Sequence, residues 1–138
     1  MENLFSGIEH VAISARSPER LAQWYVSTLG FEIFTSFDNG PGKPKTYIIR
    51  LGEQPLLVEI SPADPDLLSR ERQNGEAGLT HFAIVVTDFE RAHQRLFYTD
   101  ARPEGEERAG PRNSRIHFYR DPEGNLFHIL WRPQPLEP

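Results

Sequence analysis

Residues 7–13 read Gly-Ile-Glu-His-Val-Ala-Ile and residues 78–84 read Gly-Leu-Thr-His-Phe-Ala-Ile, so one pattern occurs twice at a spacing of 71. The same spacing superposes Glu19-Arg20 on Glu90-Arg91 and Gln23 on Gln94, giving seven matches in nineteen positions from Gly7 to Tyr25. Ordinary residue frequencies would give about one. Near the end of each copy, Leu57-Val58-Glu59-Ile60 answers Leu126-Phe127-His128-Ile129. A duplicated chain folds as two like units, so residues at matching positions reach matching places.

Each copy carries the same order of signals. Ile8 to Ala15 alternates as a strand with His10, Ala12 and Ser14 on one face and Val11 and Ile13 on the other. Ser17-Pro18 opens a helix along which Leu21, Trp24, Tyr25, Thr28 and Leu29 recur at helical spacing, and Gly30 ends it. Strand-like runs follow at Phe31 to Phe37, Thr46 to Leu51 and Leu56 to Ser61. The second copy gives a strand over Leu79 to Val86 and a helix capped by Asp88, with Phe89, Ala92, Leu96 and Phe97 on one face. Its last two strands, Ser114 to Arg120 and Leu126 to Trp131, flank the turn Asp121-Pro122-Glu123-Gly124-Asn125. Between helix and hairpin, Ala101 to Asn113 holds two prolines and two glycines, so the strand expected there is short or degraded.

The fold class is therefore α+β, with two tandem βαβββ modules, residues 1–62 and 78–132, a polar linker at 63–77 and a tail at 133–138. Halves of this size are marginal alone, which predicts that they share an interface or a sheet.

Alternation also sorts the chemistry. Leu57, Glu59 and Ser61 oppose Val58 and Ile60, and Leu126, His128 and Leu130 oppose Phe127, Ile129 and Trp131. The more apolar set of each strand belongs under the helix, which leaves Glu59 and His128 facing a cleft with His10 and His81. Four polar groups on one concave face would cost roughly 1–3 kcal/mol each if left without partners. One cation bound between the halves by His10, Glu59, His81 and His128 removes that cost. Three imidazoles and a carboxylate suit zinc, nickel, iron(II), manganese or cobalt rather than magnesium or calcium. Tyr47, Ile49, Ile116 and Phe118 are expected to line the cleft and to favour a partly apolar small-molecule substrate. His93 on the helix and His117, opposite in direction to Phe118, stay outside the set.

Several classes are excluded. A net charge of -5 without a basic stripe argues against nucleic acid as the partner. Zero cysteines rule out disulfides and thiolate chemistry. No apolar run approaches a membrane span, and Met1-Glu2-Asn3-Leu4-Phe5 lacks the pattern of a signal peptide, so a cytoplasmic protein is expected. A two-fold homodimer is the default assembly.

At this point the chain resembles the vicinal oxygen chelate superfamily, which includes glyoxalase I, methylmalonyl-CoA epimerase, extradiol dioxygenases, fosfomycin-resistance transferases and bleomycin-resistance proteins. The resemblance covers about Gly7 to Arg132. It rests on His10 in Glu-His-Val-Ala-Ile, the Ser-Pro-Glu-Arg-Leu helix start ending at Leu29-Gly30-Phe31, His81 in Thr-His-Phe-Ala-Ile, and the Asp121 to Asn125 hairpin. It implies paired βαβββ modules whose mixed sheet curls around a metal-binding cleft, with the helices outside.

It also implies Lewis-acid chemistry on a substrate held through two neighbouring oxygens. The family's usual ligand three residues after the hairpin asparagine is glutamate, and here it is His128. Glu59 matches the glutamate of the first module of glyoxalase I, which makes it the carboxylate expected both to ligate and to shuttle a proton. The expected activity is that of a metal-dependent lyase or isomerase. An iron(II) extradiol-type dioxygenase is the alternative, although Phe118 stands where that resemblance places a catalytic tyrosine and Tyr119 faces the other way. A fosfomycin-type transferase or another superfamily chemistry is the third reading, and a non-enzymatic drug-binding protein of the bleomycin-resistance kind is the fourth.

Overall fold

The duplicated signals fold into duplicated topology. The computed structural model describes all residues except Met1 and Asn3. Its first unit runs β1 (His10–Ala15), α1 (Pro18–Leu29), β2 (Glu32–Phe37), β3 (Thr46–Arg50) and β4 (Leu57–Pro62). The second runs β5 (Phe82–Val85), α2 (Phe89–Phe97), β6 (Arg102–Ala109), β7 (Arg115–Arg120) and β8 (Leu126–Trp131). Two four-stranded mixed sheets result, ordered β1-β4-β3-β2 and β5-β8-β7-β6. In each, the first strand pairs in parallel with the last, and the other pairs are antiparallel.

The chain divides into two compact units, Met1–Leu68 and Ser69–Pro138. The segment from Ser69 is held to the second unit, because the Arg120 guanidinium donates to the carbonyl of Arg72 at 2.9 Å and Arg102 bonds the Glu71 carboxylate.

In the first unit, α1 packs on β3 and β4. Its apolar spacing buries Leu21, Ala22, Trp24, Tyr25 and Thr28 against Ile49, Val58 and Ile60. Pro18 stands in the first turn, where its missing N–H costs nothing. Gly30 closes the helix at φ 80, its N–H bonded to the Tyr25 carbonyl. A Cβ there would meet nothing within 4 Å, so the demand for glycine is one of backbone conformation alone. Gly30→Ala is accordingly expected to cost about 1–2 kcal/mol in urea unfolding, with the circular dichroism spectrum unchanged.

In the second unit, Asp88 accepts a hydrogen bond from the Arg91 N–H at 3.1 Å and starts α2, which rests on β8 through buried Phe89 and Leu96. Phe97, expected on that buried face, is exposed, as is Tyr98. The strand expected to be short or degraded is instead eight residues long. An irregularity between Glu104 and Arg108, with Gly105 at φ 72, lets β6 keep pairing with β7 on both sides of the bend. Pro103 is tolerated because β6 is an edge strand. Among the described residues, no helix is long and apolar enough to cross a membrane.

Candidate functional site

Strand register decides which polar side chains meet. In the first unit Ala12 lies beside Glu59 and His10 beside Leu57, so His10 and Glu59 share the face turned away from α1. His10 Nε2 and Glu59 Oε2 are 4.0 Å apart, with both side chains partly exposed. The other ring nitrogen, Nδ1, lies 3.0 Å from Glu9 Oε1. The bond to Glu9 is made by Nδ1, and Nε2 stands on the side of Glu59. Glu9 thus orients His10, a role that alternation alone did not indicate.

The second unit makes a corresponding pair. Ala83 lies beside His128, which puts His81 and His128 on one face. Their rings are 5.0 Å apart at 44°. His128 is buried, and its Nδ1 donates to the Ile129 carbonyl at 3.2 Å, so Nε2 is the free lone pair. His81 Nδ1 lies 2.8 Å from the Thr80 hydroxyl, which can donate or accept. Burial lowers the pKa of both histidines, and His128 is lowered further by His81 and Arg108. At neutral pH both rings are therefore neutral, the form in which imidazole binds a metal.

The lining expected from alternation is half corrected. Across β7 and β8, Phe118 lies opposite His128 and Ile116 opposite Leu130, so both share the face of the histidine pair. The Phe118 ring stands 5.0 Å from His81 and 4.8 Å from His128. Tyr47 and Ile49, however, lie opposite Ile60 and Val58 on the helix side, and Ile48 stands across from Glu59. The run Tyr47-Ile48-Ile49 is apolar at every position, so its periodicity could not assign the faces. Only the pairing with β4 does so.

His93, His117 and Tyr119 gather on the opposite face of the second sheet, beneath α2. The two imidazoles stack at 4.9 Å, the Tyr119 hydroxyl bonds His93 Nδ1, and His117 Nε2 donates to the Gly105 carbonyl at 3.1 Å. Burial pushes the Tyr119 phenol up to about 12, so it keeps its proton while it shares this hydrogen bond with His93. Burial foremost, and the positive fields of His93 and Arg108, lower the pKa of His117, against the opposing effects of Gly105 and Glu107.

The unfolded chain, with histidine near its ordinary value of about 6.5, therefore takes up this proton at higher pH than the folded chain. Stability from this group is complete above that value and is lost as pH falls towards the lowered folded value. The urea midpoint is expected to drop between about pH 7.5 and pH 5.5, and to drop less in His117→Gln.

Among the described residues, no group of three or more histidine, aspartate or glutamate side chains is placed to hold a metal ion. What each half brings together is a pair. The donors fit a divalent transition metal, since imidazole nitrogen and carboxylate oxygen are its usual ligands. A separation of 4.0 Å is also about the widest that two metal–ligand bonds of ~2 Å can bridge.

Solved structures repeat this architecture. A member of the glyoxalase/bleomycin resistance protein/dioxygenase superfamily from Sphaerobacter thermophilus DSM 20745 aligns with a TM-score of 0.76 at 17% identity, covering 94% of this chain and 100% of that one. TnmS3, an antibiotic binding protein from Streptomyces sp. CB03234, aligns at 0.70 and 13% identity over 95% and 99% of the two chains. The trypanothione-dependent glyoxalase I of Leishmania major aligns at 0.67 and 19% identity over 91% and 86%. No curated protein matches the sequence. The sequence model of the Glyoxalase/Bleomycin resistance protein/Dioxygenase superfamily matches residues 7–129, nearly the whole of both repeats, and the chain belongs to that superfamily.

Proposed function

We propose that this protein is a divalent-metal-dependent enzyme of the glyoxalase type, a lyase or isomerase that holds a small substrate through two neighbouring oxygens and moves a proton between adjacent carbons. The observation that carries this reading is the recurrence of a ligand pair at equivalent strand positions, His10 with Glu59 and His81 with His128. In His10 and His128 a hydrogen bond at Nδ1 leaves Nε2 free to ligate. The donors of each pair suit zinc, nickel, cobalt, manganese or iron(II). Bound there, the ion would supply Lewis-acid polarisation of the substrate oxygens. Glu59 is the one carboxylate of the set and acts as the base that carries the proton. Phe118 and Ile116 provide an apolar wall beside the His81–His128 pair, and within the first unit Ile48, rather than Tyr47 and Ile49, stands beside Glu59. The working form is a cytoplasmic homodimer.

Elemental analysis of protein purified without oxygen or chelators tests the reading. About one zinc, nickel, cobalt or manganese ion per chain is expected, with metal affinity reduced at least about tenfold in His10→Ala and His128→Ala. Iron together with oxygen uptake on catechols would move the protein to the dioxygenases. Against that reading, the hydroxyl of Tyr119 is engaged with His93 on the other face of the sheet. A protein that neither holds nor takes up a metal overturns the proposal.

A second reading, drug sequestration, has one observation in its favour. Phe37, paired with Thr46, and Phe34, under the Arg50 guanidinium, are large exposed rings on the sheet face that bears Glu59. Aromatic ligands stack on such rings. Binding of an aromatic drug by metal-free protein, undiminished in His10→Ala, would favour it.

A further inference from the structure

We propose that Arg108 selects an anionic substrate for the His81–His128 pair, its guanidinium receiving a carboxylate carried by the molecule that the pair engages. This rests on the reading of those histidines as metal ligands and adds the charge of the substrate to it.

Position comes first. Arg108 lies opposite Ile116 in the β6–β7 ladder, and directly opposed residues project on one side, so Arg108 shares the face of Ile116, Phe118 and His128. Its guanidinium lies over the Phe118 ring, 4.6 Å from the centroid, and that ring also abuts His81 and His128. Phe118 is thus a common floor between the cation and the two imidazoles. Stacking on it fixes the plane of the guanidinium while leaving its N–H edges free to receive a planar carboxylate.

Charge comes second. Of the acidic neighbours of Arg108 in sequence, Glu104 is engaged with Arg120 and Glu107 with Arg115, and Glu106 forms no ion pair with Arg108. Arg70, Arg102 and Arg115 in the same unit also have carboxylate partners. Among the described residues Arg108 has none. The first unit provides the contrast, since Arg50 also lies over a ring, that of Phe34 at 4.9 Å, but it is neutralised by two bonds to Glu32 Oε1 at 3.1 and 2.8 Å. One arginine is a closed surface pair, and the other is an open cation on the face of the histidine pair. In a protein of net charge -5, this open cation attracts an anion locally against the overall field.

The test uses 3,4-dihydroxybenzoate without oxygen, which has vicinal oxygens, an aromatic ring and a separate carboxylate, against its methyl ester, which keeps the first two and loses the charge. Calorimetry on metal-loaded protein is expected to show the acid binding about tenfold or more tighter than the ester. Arg108→Gln should lose about that factor for the acid and change ester binding by no more than about twofold, and Arg108→Lys should recover part of the loss. Equal binding of acid and ester by the wild type overturns the proposal. So does wild-type protein that binds neither, an Arg108→Gln variant that still prefers the acid, or one that loses both ligands alike.

Metal content of the same samples separates the two claims. Arg108→Gln should hold as much metal as the wild type, and a variant that loses it shows Arg108 maintaining the site rather than choosing its ligand. If the wild type holds no metal, the proposed function fails. The acid-over-ester preference of metal-free protein, and its loss in Arg108→Gln, then decides Arg108 separately.

Discussion

Glu59→Gln is expected to keep bound metal and to lose proton transfer by roughly a hundredfold to ten-thousandfold, the range spanned by single acid–base groups. The glutamine side chain keeps a carbonyl oxygen in the position of Oε2, which lies 4.0 Å from His10 Nε2, and so retains a ligand. An amide is not a base at neutral pH, so the shuttle stops while the site stays assembled. Exchange of a substrate Cα–H for deuterium, followed by NMR in heavy water, reads the proton transfer directly, and elemental analysis of the same sample reads the metal. Undiminished exchange in Glu59→Gln would assign the base elsewhere. Glu59→Ala serves as the contrast: it removes the ligand as well as the base and is expected to weaken metal binding.

The pairing of these residues was legible because a repeat converts one ambiguous histidine into two at the same register. His10 alone on a half-buried strand says little. His10 with His81, and Glu59 with His128 at the other matching position, point to one chemistry, and each half does bring its two residues side by side. The βαβββ order was legible for the same reason, since helix and strand periodicities change at corresponding points of both copies.

What escaped the sequence did so for physical reasons. Three consecutive apolar residues, Tyr47 to Ile49, carry no phase, so the face of β3 is set by its pairing with β4, a long-range fact. The edge strand β6 combines Pro103, Gly105 and three glutamates, a composition that reads as loop, and forms because β7 offers a ladder and the irregularity absorbs the glycine. With β6 unread, neither the face of Arg108 nor its place over Phe118 could be inferred.

Arg120→Ala is expected to destabilise the protein by about 3–5 kcal/mol, the cost of breaking a buried charged network from one side. Arg120 is 2% exposed and is among the largest fully buried side chains described. Its Nε and Nη2 donate to Glu104 Oε2 at 3.1 and 2.9 Å, Nη1 to the Gly124 carbonyl at 3.0 Å and Nη2 to the Arg72 carbonyl at 2.9 Å. One guanidinium therefore ties together the edge strand β6, the β7–β8 turn and the segment that begins the second unit. Truncation leaves two carbonyls without these donors and a cavity the length of an arginine stem.

The lysine variant sharpens the test. Arg120→Lys keeps the charge but cannot span three acceptors in a plane, so it should recover less than about half of the loss. Urea unfolding followed by circular dichroism gives both values, and a fall in melting temperature of roughly 10 °C should accompany Arg120→Ala. A loss below about 1 kcal/mol would mean that water replaces the guanidinium at those carbonyls, and that Ser69–Ala77 is held to the second unit by its other bonds alone.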